Sequence, residues 1–267
     1  MLFDTHCHLD TGSFPEGADA VIERARAAGV DAFACIGVGS LEHARFAVAL
    51  AERRRDVVAT AGIHPHDASS ADAALEDELA RLATHARVVA VGEVGLDYHY
   101  DHSPRDVQKA VFARAIALAR RVKKPLVIHT RSAPDDTLAI LEAEGAREVG
   151  GIIHCFSEDR AFAERAVALG FYLSFSGILT FKNARGVHEA AAWAPEDRLL
   201  VETDSPYLAP VPLRGKKCEP AYVVHTLARL AELRGTDKDR LAAATTANAA
   251  RVFGLSVGAG GLEIAAP

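Results

Sequence analysis

The stretch Asp4-Thr5-His6-Cys7-His8 sets two imidazoles two residues apart near the start of the sequence. Side chains alternate along a strand, so His6 and His8 are expected on one face and Thr5 and Cys7 on the other. Two imidazoles on one face can hold a metal ion, because the neutral ring needs little deprotonation at cellular pH. A His-X-His triplet alone is a weak signal. Its weight comes from the residues that end later apolar runs: His64, Glu93, His129, His154 and Asp204.

Four of these histidines (His6, His8, His129, His154) and two carboxylates (Glu93, Asp204) are too many ligands for one ion that keeps an open position. Two divalent ions are therefore expected. Glu93 is the candidate bridge, with His6, His8 and Asp204 on one ion and His129 and His154 on the other. Two ions about 3.5 to 4 Å apart can activate water and stabilise both the attacking and the leaving oxygen of a phosphoester displacement. Hydrolysis is the expected reaction class, with Asp204 and Glu93 as its acid–base and bridging groups. Mixed imidazole and carboxylate ligands suit zinc or manganese, and also iron or cobalt.

Other polar residues surround this set: His64 and His66, Asp97 and Tyr98, Arg131, and the loop holding Arg214 and Lys216. His64, Arg131, Arg214 and Lys216 are expected to meet an anionic substrate, since guanidinium can grip a phosphate through two parallel hydrogen bonds. Glu202 is expected to orient a ligand histidine rather than to bind an ion itself. Phe171, Tyr172 and Phe175 read as core and wall. Cys7 and Cys155 adjoin ligands but are expected to point away.

Positioning these groups requires a repeated scaffold. Short β-branched runs begin at Leu2, Ala32, Val57, Val88, Pro125, Gly151, Phe171 and Leu199, and amphipathic stretches with helical periodicity separate them. Eight βα units in roughly 250 residues predict a single (β/α)8 TIM barrel, whose chemistry sits at the C-terminal strand ends. The fourth strand is expected to run from Val88 to Glu93. Helices over 221–234 and 239–252 come after the last strand. The barrel domain is expected to span 1–255 and a flexible tail 256–267.

With 267 residues and 49% hydrophobic content, the chain has ample material for one core. No apolar run approaches the roughly 18 residues of a membrane span, and a ligand set starting at residue 6 leaves no room for a signal peptide. The expected location is the cytoplasm. Four scattered cysteines without Cys-X-X-Cys spacing fit reduced thiols. A formal charge of −6 argues against a broad basic face coating duplex nucleic acid.

In order, Asp4-Thr5-His6-Cys7-His8-Leu9-Asp10, Gly62-Ile63-His64-Pro65-His66, Gly92-Glu93-Val94-Gly95-Leu96-Asp97-Tyr98, Ile128-His129, His154-Cys155-Phe156 and Glu202-Thr203-Asp204-Ser205-Pro206-Tyr207 resemble the motifs of the TatD metal-dependent deoxyribonucleases. The resemblance covers almost the whole chain. It implies an amidohydrolase-type barrel and hydrolysis of DNA phosphodiesters, as a 3′ to 5′ exonuclease on single strands or ends. It adds magnesium to the candidate ions and places His6, His8, Glu93, His129, His154 and Asp204 at the metal positions. Asp204 also matches the water-activating carboxylate, and His64 a position close to the bound phosphate. Cys218, Ser132 and Glu158 depart from the pattern in loops outside the ligand set, which bears on substrate preference. The competing readings are a D-aminoacyl-tRNA deacylase or another ester or amide hydrolase, and a non-catalytic metal-binding accessory protein. A monomer acting on DNA, away from membranes, is the expected state.

Overall fold

The computed structural model describes residues 1–258 and 261–264. Eight parallel strands pair in sequence order: β1 (Phe3–Cys7), β2 (Ala32–Cys35), β3 (Val57–Ala61), β4 (Val88–Asp97), β5 (Leu126–Arg131), β6 (Gly151–Ile153), β7 (Phe171–Phe175) and β8 (Leu199–Val201). Cys7 also bridges in parallel to Ser205, just past β8, bringing the last strand round to the first. The result is a (β/α)8 barrel.

Helices α1 (Ala18–Ala27), α2 (Leu41–Arg53), α3 (Ala73–Ala83), α4 (Arg105–Val122), α5 (Pro134–Ala143), α6 (Arg160–Ala168) and α7 (Arg185–Trp193) connect successive strands. Helices α8 (Val223–Arg234) and α9 (Lys238–Val252) come after β8. Several helix starts are fixed by short polar side chains: Ser40, Asp72, Asp159 and Asp237 accept the free amides of His43, Leu75, Phe162 and Arg240. Each such cap contributes about 1 kcal/mol to its helix.

The strands are buried on both faces, as parallel sheets covered by helices must be. Outside, they pack on helix residues such as Ile22, Leu50, Ile116 and Leu138; inside, Phe3, Val58, Val127, Ile152, Tyr172 and Leu200 fill the barrel. Phe253 closes the floor, its ring 5.8 Å from that of Phe3. Alternation then turns an apolar floor into a polar top: Val127 gives way to His129, Ile152 to His154, and Leu200 to Glu202.

Several strands end two or three residues before their expected ends, β8 at Val201 rather than Asp204, and two further departures bear on the site. β4 continues past Glu93 to Asp97, through a register shift between Gly92 and Val94. Gly95 permits the continuation: at φ +143° it lies so close to β5 that a Cβ would sit 1.9 Å from the His129 carbonyl oxygen. In β1 the pairing shifts between Asp4 and Cys7. Thr5, expected beside Cys7, instead meets Ser174 inside the barrel at 3.0 Å, whereas Cys7 belongs to the outer layer.

From the last residue of the expected barrel domain into the expected C-terminal tail, β9 (Leu255–Gly258) pairs antiparallel with β10 (Gly261–Ile264). Residues 259–260 and 265–267 of that tail lie outside the described residues. No helix among the described residues is long and apolar enough to cross a membrane.

Candidate metal centre at the mouth of the barrel

Glu93 stands at the centre of the site. Its Oε1 lies 2.7 Å from His154 Nε2, 2.9 Å from His129 Nδ1 and 3.4 Å from His64 Nε2, and its Oε2 lies 3.4 Å from His6 Nε2. Asp204 Oδ1 faces His8 Nε2 at 3.6 Å and His6 Nε2 at 3.7 Å. The six expected ligands thus converge. His64, expected near a substrate phosphate, also reaches the central carboxylate.

On the β1 side, barrel closure holds the rings: the Asp204 amide donates to the His6 carbonyl at 2.9 Å, and the His8 amide to the Ser205 carbonyl at 2.8 Å. Asp4 reinforces this junction, accepting from the Thr203 amide at 2.9 Å and from the Thr203 hydroxyl at 2.6 Å. Burial pushes the Asp4 carboxyl up to about 8 despite those bonds.

On the β4–β5 side the tether is a side chain. Asp97 Oδ2 accepts from His129 Nε2 at 3.1 Å and from His66 Nε2 at 2.9 Å. Its Oδ1 accepts from the amides of His99 and Tyr100, at 3.0 and 2.9 Å. Gln108 braces the same backbone, accepting from the Asp97 amide at 2.8 Å and donating to its carbonyl at 3.1 Å. Glu202 plays a comparable part for His154: its Oε1 takes the Nδ1 proton at 3.2 Å and the Cys155 amide at 2.6 Å.

The electrostatics arise from these contacts. Burial alone would raise the Glu93 carboxyl, but His154, His64 and hydrogen bonds from His129 and His154 hold it well below the usual range. Burial would likewise raise Asp97 and Asp204, and their histidine partners pull both down. His154 moves oppositely: burial favours its neutral form, yet Glu93 and Glu202 raise it well above an ordinary histidine. His6 is lowered, by burial and then by the charge of His154, whose ring stacks on its own at 3.9 Å.

The residues fit divalent ions on a specific observation. His6 is fully buried, and among the described residues neither of its ring nitrogens has a hydrogen-bond partner. Such a group is destabilising unless something else takes up its lone pair. Ligand atoms of His6, His8 and Glu93 lie within 4.8 Å of one another, as do those of His64, Glu93 and His129, and those of His6, His154 and Glu202. Glu93 belongs to the first two groups.

The expected substrate-binding cations occupy the same end of the barrel. Arg131 is exposed at the end of β5 with its guanidinium 4.8 Å from the Tyr100 ring; Arg214, in the loop after β8, sits 3.7 Å from the Phe181 ring. Arg131, Arg214 and Lys216 form no ion pair among the described residues. Sequence reasoning missed the roles of Asp4 and Gln108. Asp4, fully buried, carried a faint signal as an acid inside the first strand, two residues before His6; Gln108, on a helix, carried none.

The sequence profile of the family described as TatD related DNase matches residues 3–254. The "uncharacterized metal-dependent hydrolase YabD" of Bacillus subtilis (strain 168) is 44% identical, the match covering 95% of this chain and 99% of that protein. The "3'-5' ssDNA/RNA exonuclease TatD" of Klebsiella pneumoniae (strain 342) is 35% identical over 96% of this chain and 99% of its own. Among solved structures, the TatD homologue YJJV from Escherichia coli K12 superposes with a TM-score of 0.88 at 30% identity, covering 96% of this chain and 98% of the other. Barrel, mouth and relatives agree, and the chain belongs to the TatD family of metal-dependent hydrolases.

Proposed function

We propose that the protein hydrolyses phosphodiester bonds in nucleic acid, removing nucleotides from the 3′ end of single-stranded DNA with two divalent ions. The observation that carries the reading is Glu93, whose two oxygens face His6 on one side and His64, His129 and His154 on the other. His6, His8 and Asp204 would hold one ion and His129 and His154 the other, with Glu93 between them and His64 beside the second. Bound there, zinc, manganese or magnesium supplies Lewis acidity to the phosphoryl group and makes water nucleophilic at neutral pH.

The chain's own residues do the rest. Asp204 is 14% exposed, so its carboxylate meets the mouth, where it accepts the proton of the attacking water. Glu202 and Asp97 keep the rings of His154 and His129 turned toward Glu93. Arg131, Arg214 and Lys216 attract the neighbouring phosphates. The name of the Klebsiella relative supports the choice of a single-stranded nucleic acid.

The test is incubation with 3′-labelled and 5′-labelled single-stranded DNA, and separately with D-aminoacyl-tRNA, each with and without chelator. Chelator-sensitive release of the 3′ label is expected. Deacylation of the tRNA with no cleavage of DNA would replace this reading with the ester hydrolase.

A further inference from the structure

Two tyrosines stand at the mouth, each three residues after an acid of the site. The Tyr100 amide donates to Asp97 Oδ1 at 2.9 Å, and the Tyr207 amide to the Asp204 carbonyl at 2.9 Å. Both rings are large and exposed, Tyr100 by 50% and Tyr207 by 61%. Their surroundings differ. Tyr100 lies parallel to His102 at 5.4 Å, receives the Arg131 guanidinium at 4.8 Å, and meets the edges of His66 and His99 at 5.4 and 4.8 Å. Tyr207 has only the ring of His8, edge-on at 6.1 Å, and no stacked ring or cation among the described residues.

The mount beneath Tyr207 is nevertheless fixed. The Pro206 carbonyl accepts from the Cys218 amide at 3.1 Å. On the other side, the Leu208 carbonyl packs so closely on Gly177 that a Cβ there would lie 1.9 Å from it. An aromatic ring left open on a held backbone loses little conformational freedom when a flat partner covers it. A water-exposed ring of this size beside a ligand histidine also has no role in the core.

We propose that Tyr207 is a stacking platform for the nucleobase of the nucleotide that carries the reacting phosphate. The inference rests on the proposed nuclease activity and narrows it to substrates whose bases are unpaired and free to turn onto the ring. Every base has a π-face, so the platform grips the end of a strand without reading its sequence. Tyr100, already flanked by Arg131 and His102, serves to support those groups instead.

Cleavage of single-stranded DNA ending in a normal nucleotide is compared with that of the same strand ending in an abasic tetrahydrofuran nucleotide. Wild type should favour the base-bearing end in kcat/KM by about 5- to 150-fold, the range for one aromatic–base stack. Tyr207→Ala should lose that preference with unchanged metal content and melting temperature, whereas Tyr207→Phe and Tyr207→Trp should keep it. Tyr100→Ala should keep it too. Equal cleavage of both ends by wild type, or Tyr207→Phe behaving like Tyr207→Ala, would overturn the platform while leaving the nuclease reading intact. Failure of wild type to cleave any single strand would overturn both.

Discussion

On the β4–β5 side of the mouth, both nitrogens of His129 already face carboxylate oxygens, Glu93 at one end and Asp97 at the other. On the β1–β8 side, both nitrogens of His6 are buried without a hydrogen-bond partner among the described residues, and its ring is aimed by backbone pairing between residues 6 and 204. One half is organised by side-chain hydrogen bonds. The other is organised by the closure of the barrel, with the His6 Nε2 facing Glu93 and Asp204 across 3.4 and 3.7 Å. The first should keep its geometry when metal is removed, and the second should gain most when metal is added.

Glu93→Ala removes the group shared by both halves. It should lower kcat/KM by about 10³-fold or more, because several kcal/mol of transition-state stabilisation depend on the ions it positions. Steady-state hydrolysis of labelled DNA checks this, and residual activity within tenfold of wild type would show that the halves work without a bridge.

Asp204→Asn tests the β1–β8 half. Asparagine keeps the size and one ligating oxygen but cannot take a proton, so kcat should fall by roughly 10²- to 10⁴-fold while DNA binding persists. A variant that keeps its metal and turns over within a fewfold of wild type would leave Asp204 as a ligand alone.

Asp97→Ala tests the other half. Losing the partner of His129 Nε2 should weaken binding of one ion by about 10- to 100-fold, measured by competition with a chelating dye. Binding unchanged from wild type would mean that Glu93 alone orients His129. The smallest effect is expected at the rim, where Arg214→Ala should lower the salt dependence of DNA binding by about one counterion. A salt slope equal to wild type would place that loop away from the DNA.

The sequence pattern carried most of the scaffold, because a barrel of this kind repeats one unit and each repeat announces itself twice, by an apolar run and by a helical period. The histidines of the mouth were legible for the same reason, each falling just where such a run ends. Asp97 was harder. Its strand was expected to stop at Glu93, and only the close packing of Gly95 on β5 lets the pairing run on and bring Asp97 level with Arg131. Thr5 was misplaced because strict alternation cannot foresee the shift in β1. The cation over Tyr100, which Tyr207 lacks among the described residues, comes from Arg131, distant in sequence, and no local pattern encodes it.

The claim that two unlike halves share Glu93 is tested most directly by metal stoichiometry. Elemental analysis of purified wild type, the His6→Ala/His8→Ala double variant, His129→Ala/His154→Ala and Glu93→Ala should give about two, one, one and fewer than one tightly held divalent ions per chain. The same stoichiometry in all four proteins would contradict the account.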